Sequence, residues 1–233
     1  MRKSIIAAAC AVLAISGCGS NDKNAGIQGV NGNIARDMNA QRSDFERSDD
    51  PPLKADTHFA AGQYSETQGS LQAAIEQYEE ALRINPKHTP SLYRLGLVYS
   101  QAKRYPEAIA VWNRYIAATN QSAIGYSNLA YCEELSGDGQ SAETSYQAGI
   151  ARDPHNQPCR VNFGLMLARQ GRIEEAKQQF SAVLSPAQVH YNLASVFQQQ
   201  GKKTAARAEY LEAIKADPKF ADAQTRLAEL DKN

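Results

Sequence analysis

Neither sign of charge is in excess in this chain. Lys plus Arg and Asp plus Glu number 25 each over 233 residues, and the formal net charge is zero. A chain that neutralises phosphates needs a basic footprint, so nucleic acid is not an expected partner. Histidine is sparse and scattered: His58, His88, His155 and His190 fall far apart, and no H-E-x-x-H spacing exists. Neither a metal nor an organic cofactor is expected from that pattern. No nucleophile–base arrangement stands out, which argues against an enzyme and against a small-molecule substrate. The stretch Gly137-Asp138-Gly139-Gln140-Ser141-Ala142 matches G-x-G-x-x-A. It lacks the preceding strand that dinucleotide binding requires. Apolar runs are short as well. Ser4 to Ile15 falls well below the roughly 20 residues of a membrane-spanning helix.

What is present is a ruler. Ala74, Tyr78, Ala81 and Pro86 are echoed 34 residues later by Ala108 and Trp112, and again by Ala142, Tyr146, Gly149 and Pro154. Ala176 and Phe180 follow, then, after one slip of register, Ala206, Tyr210, Ala213 and Pro218. With repeats counted from Ala55, Thr89, Ala123, Gln157 and Ala187, small or apolar residues recur at places four, seven, eight and eleven. Leu92, Leu95, Gly96 and Tyr99 show it in the second repeat, and they form one face of a 3.6-residue helix. Phe163, Gly164 and Leu167, then Leu193, Ala194 and Phe197, repeat the face. Small residues at place eight, met by Ala at place twenty, let two helices approach closely.

Turn chemistry agrees with helix pairs. Gly69, Gly137, Gly171 and Gly201 share place fifteen, where a first helix should end on a left-handed residue. Lys103 departs from that rule, although Pro106 suits the first turn of the next helix. Asn85-Pro86, Asp153-Pro154 and Asp217-Pro218 close second helices. Gln157 to Ala187 spans only 30 residues, with Pro186 expected to end the second helix about one turn early. Whether that is a harmless deletion or a change of superhelix curvature is left open by the residues.

A period of 34 with Ala-x3-aromatic and a closing proline resembles the tetratricopeptide repeat. The resemblance implies an all-α, right-handed solenoid of about five helix pairs over 55–233, with a final capping helix near 221–231. It implies a protein-binding scaffold. In this family places two, five, six, nine, twelve and thirteen of each first helix line a concave groove. Here the groove residues are Tyr93, Arg94 and Leu97, then Ser127, Asn128 and Tyr131. Val161, Asn162, Leu165 and Arg169 follow, and then Tyr191 and Asn192. Aromatic and aliphatic anchors with an asparagine ladder suit a bound peptide or helix. The carboxylate clamp of cytosolic chaperone adaptors is absent, since triplets such as Tyr93-Leu97-Asn128-Pro158-Asn162 lack its lysines and arginine.

The amino terminus carries a second pattern. Met1-Arg2-Lys3 and the apolar run fit an export signal over 1–17. Ile15-Ser16-Gly17-Cys18 resembles the lipobox of bacterial lipoproteins. That likeness implies cleavage after Gly17 and lipidation of Cys18, which anchors the chain to a membrane. Gly19 is not the aspartate that retains such proteins at the inner membrane in enteric-type bacteria, so the outer membrane, facing the periplasm, is the implied location. Residues 18–54 are polar and read as a flexible tether of about 30–36 Å r.m.s. span. Cys132 and Cys159 sit at places ten and three of adjacent parallel helices, about 10 Å apart along the axis, beyond the roughly 7 Å a disulfide allows. Two buried thiols are expected.

As a whole the chain resembles small tetratricopeptide lipoproteins that assemble outer-membrane pili and secretins, including the tight-adherence pilus lipoprotein and type IV pilus pilotins. The implied partner is a secretin or pilus component. The alternative is an adaptor that docks periplasmic proteases or cell-wall hydrolases.

Overall fold

The computed structural model describes residues 54–232. The export signal, Cys18 and nearly all of the polar tether lie outside the described residues. Eleven helices follow one another, with no strand among the described residues. They pair as α1 (Ala55–Thr67) with α2 (Leu71–Ile84), α3 (Thr89–Gln101) with α4 (Tyr105–Ala118), and α5 (Ala123–Ser136) with α6 (Gly139–Arg152). Next come α7 (Gln157–Arg169) with α8 (Ile173–Ser181) and α9 (Pro186–Gln199) with α10 (Lys203–Ala216), before the single α11 (Ala221–Lys232). This is the all-α solenoid of five helix pairs and a final helix expected from the ruler.

Each pair is held by a ring over a small residue. Alanine at place twenty is fully buried in every repeat: Ala74, Ala108, Ala142, Ala176 and Ala206. Four residues on, the rings of Tyr78, Trp112, Tyr146, Phe180 and Tyr210 are buried too, and those of Tyr78, Trp112 and Phe180 lie across the glycine at place eight of the first helix. A Cβ added to Gly96 would come 2.6 Å from Trp112 Cε2, and one on Gly164 would come 2.5 Å from Phe180 Cε1. The close approach read from the sequence is therefore a ring-on-backbone contact. Burial of each such side chain contributes about 1.5–3 kcal/mol.

The repeats also bury places the sequence pattern left out. At place ten, Val98, Cys132, Met166 and Val196 are all inaccessible, and so at place three are Ser91 and Cys159. Of these, Cys132 and Cys159 face the preceding repeat. Cys159 Sγ donates to the Tyr146 carbonyl at 3.4 Å, and Cys132 Sγ lies 3.0 Å from Ser100 Oγ. Both cysteines are free thiols, as the axial offset required. Burial raises the Cys132 thiol and pushes that of Cys159 up to about 12. In α1 the corresponding Thr57 and Tyr64 are exposed, and no second helix precedes α1 among the described residues.

Turn geometry is more uniform than turn composition. All five place-fifteen residues have positive φ, Lys103 at 60° beside Gly137 at 94°. Lysine thus occupies the same left-handed turn that glycine occupies elsewhere, rather than replacing it with another. The second repeat lacks a closing proline, and Asn120 and Gln121 turn the chain there with φ of 52° and 67°. The shortened repeat has its cause in α8, which runs nine residues against fourteen for α10. The truncation exceeds the single turn expected. Ser185 caps α9 through a reciprocal box with Gln188, and Pro186 opens that helix.

Candidate interaction face of the first helices

Consecutive first helices are bridged side by side, which gathers their exposed places onto one shared face. Arg94 of α3 reaches Glu66 of α1, with Nε 2.9 Å from Oε1, and a second guanidinium nitrogen also pairs with that carboxylate. Tyr78 donates its hydroxyl to the same carboxylate from α2. Asn162 of α7 donates to Ser127 Oγ of α5 at 3.4 Å, and Arg169 Nη2 lies 2.6 Å from Glu134 Oε1. Place twelve carries a side chain able to accept wherever place twenty-four is tyrosine, although the bond forms in only two of those three repeats. Glu66 serves Tyr78, Gln198 accepts from Tyr210 at 2.7 Å, and Glu134 lies opposite Tyr146. Where place twenty-four is Phe180, place twelve is Ala168. Tyr146 Oη and Glu134 Oε2, however, are both buried without a hydrogen bond.

The twelve groove residues divide by what already holds them. Tyr93 packs its ring edge-on to Trp112 at 5.5 Å and tilted against Tyr115 at 5.6 Å. Tyr191 packs on Tyr210 at 5.8 Å and on Phe220 at 5.2 Å, and it lies near Arg226 of α11. Arg94 and Arg169 are consumed in the ion pairs above. Ser127 is only 2% exposed and accepts from Asn162. Asn192 turns its amide back to the Gln188 carbonyl at 2.8 Å. The asparagine ladder is thus largely engaged within the fold. Leu97, Val161 and Leu165 are half-buried against the core. Asn128 is half-exposed and Tyr131 is 36% exposed.

Around that last pair the structure adds two residues absent from the groove set. Ile124 and Leu135 are 43% and 42% exposed. Ile124, Asn128, Tyr131 and Leu135 are spaced four, three and four apart, the period of one stripe along a helix. Places two and thirteen belonged to the ruler, so both residues were within its reach. Burial raises the Tyr131 phenol above its ordinary value.

Three models described as tetratricopeptide repeat match residues 40–89, 67–129 and 187–220, together more than half of the chain. The chain belongs to the tetratricopeptide repeat family. Among curated relatives it is similar to the general transcriptional corepressor trfA of Dictyostelium discoideum, 26% identical over 125 residues, which is 53% of this chain and 9% of that protein. It is also similar to the BBSome complex member BBS4 of Xenopus tropicalis, 30% identical over 108 residues, or 46% of this chain and 21% of that one. The chain therefore spans a small part of these relatives. A crystal structure of MamA protein shares the fold with TM-score 0.59 and 19% identity, covering 72% of this chain and 94% of that one. YrrB, described as a TPR protein with an unusual peptide-binding site, has TM-score 0.52 and 20% identity over 80% of this chain and 96% of that one. Tetratricopeptide repeat domains generally act as protein-binding scaffolds.

Proposed function

We propose that the chain is a non-enzymatic, lipid-anchored scaffold that holds a protein partner on its first-helix face during assembly of an outer-membrane pilus or secretin complex. The observation that carries the binding role is the uncovered stripe of Ile124, Tyr131 and Leu135 on α5. Exposed apolar side chains aligned on one helix mark an interaction surface. The anchor rests on the lipobox-like Ile15 to Cys18, and the pilus role on the resemblance to small pilus-assembly lipoproteins. A lipid at Cys18 and a polar tether of about 30–36 Å keep the binding face close to the membrane where a secretin must insert.

The test is complementation. Cells lacking the chain should lose assembled secretin multimers, and the wild-type gene should restore them. Cys18→Ala and Tyr131→Asp should each fail to restore them while the protein still accumulates. Normal secretin assembly in the deletion strain would refute the pilus role. An altered peptidase or amidase activity in its place would indicate an adaptor for hydrolases.

A further inference from the structure

Polar atoms collect inside one helix pair. Among the described residues, four buried side-chain nitrogen or oxygen atoms lack a hydrogen bond: Trp112 Nε1, Glu133 Oε2, Glu134 Oε2 and Tyr146 Oη. The last three belong to the third pair, α5 with α6. Glu133 stands at place eleven, which Tyr99, Leu167 and Phe197 fill in the second, fourth and fifth pairs. It lies near Ser145 of α6, itself only 8% exposed, and burial raises its carboxyl above the ordinary value. A buried oxygen without a partner costs free energy. Leu167, at the same place in the fourth pair, instead contributes apolar burial.

The apolar core divides along the same line. Leu129 and Cys132 of α5 share a core with Val111, Trp112 and Ile116 of α4, and no described residue of α6 joins it. Ala130 is the one buried residue of α5 in the next core, with Ala142 and Tyr146 of α6. The other end of the pair is tight. A Cβ added to Gly149 would come 3.1 Å from Tyr126 Cβ and 3.3 Å from the Ala123 carbonyl oxygen. Thus α5 and α6 close firmly where α5 begins and weakly where it ends.

We propose that the third pair is the joint at which the solenoid opens: α6 swings away from the C-terminal half of α5 about the Gly149 contact, while α1–α5 and α6–α11 each stay packed. In a linear array each interface contributes separately, so the weakest opens first. Two polar bridges from α5 to α7 cross the joint. One is the 3.4 Å hydrogen bond from Asn162 to Ser127, and the other is an ion pair whose Arg169 side chain is 39% exposed. Bridges of this kind add little resistance. Opening shifts the exposed face of α5 relative to that of α7. The joint goes beyond the scaffold reading and does not depend on what the solenoid binds.

The experiment is site-resolved alkylation of the full chain under native conditions. Alanine at place twenty is fully buried in the second, third and fourth pairs, so Ala108→Cys, Ala142→Cys and Ala176→Cys report the three openings from the same position. The thiol of Ala142→Cys should react at least about tenfold faster than those of the other two, with Cys132 and Cys159 protected in all three. Adding Glu133→Leu to Ala142→Cys should slow that labelling at least about tenfold, and adding Glu133→Gln should slow it less. Glu174→Leu on α8, where the side chain is 85% exposed, should leave it unchanged. Hydrogen exchange on the unsubstituted chain gives a second reading, because helix ends that lose their packing fray. The end of α5 and the start of α6 should be less protected than α4 and α7. Equal labelling in the three pairs, fastest labelling in the second or fourth, no effect of either Glu133 substitution, or even protection from α4 to α7 would each overturn the joint.

Discussion

The Glu66 carboxylate is shared by Arg94 and Tyr78: the guanidinium Nε lies 2.9 Å from Oε1, and the phenol donates to the same oxygen. One side chain thereby locks a first helix both to its own second helix and to the next repeat. The third repeat has the same residue types, Glu134, Tyr146 and Arg169, but there the tyrosine hydroxyl makes no hydrogen bond. The two tyrosines are equally buried and should respond differently to loss of the hydroxyl. Tyr78→Phe should cost about 1–2 kcal/mol. Tyr146→Phe should be neutral or slightly stabilising, since it removes a buried unpaired group. Urea unfolding of the two variants checks the contrast.

Gly96→Ala should destabilise by about 1–3 kcal/mol despite the better helix propensity of alanine. The new methyl would meet the Trp112 ring, which is fully buried and has nowhere to move. A lower urea midpoint with an unchanged slope is the expected readout.

Lys103→Gly should stabilise by up to about 1 kcal/mol, because lysine holds a left-handed φ of 60° that glycine adopts without a Cβ clash. The greater freedom of glycine in the unfolded chain offsets part of that gain. A higher thermal midpoint is the result to look for.

Alkaline pH should weaken the fold. Burial raises the Cys159 thiol from 9.0 to about 12, and it raises Tyr210 from 10.0 to about 12. The folded chain therefore keeps protons that the unfolded chain releases. Their contribution is complete below pH of about 9 and is lost as pH rises toward about 12. Urea midpoints should fall between pH 8 and pH 10.5. Site-resolved alkylation should find Cys132 and Cys159 protected until the chain unfolds.

Fold and turn positions were legible in the sequence because they obey a period. Pro86 and Ala74 announce helix ends and helix contacts wherever they recur, and helical rise alone kept the two buried thiols apart. Burial of the other residues at places three and ten, such as Ser91 and Met166, was not legible, since these places lie outside the periodic face of their own helix. The groove set was only partly legible for a related reason. Position on a helix fixes direction, but not whether a neighbour has already engaged the side chain. Tyr93, Tyr191, Asn162 and Asn192 are engaged, whereas Ile124 and Leu135, passed over in the sequence, stay exposed.

The most direct test of the central claim is photocrosslinking in cells from Tyr131, with Lys177 on α8 as the control position. A secretin or pilus component captured from Tyr131 and not from Lys177 is the predicted result. Equal capture from both positions, or none from Tyr131, would contradict the assignment of the α5 face as the working surface.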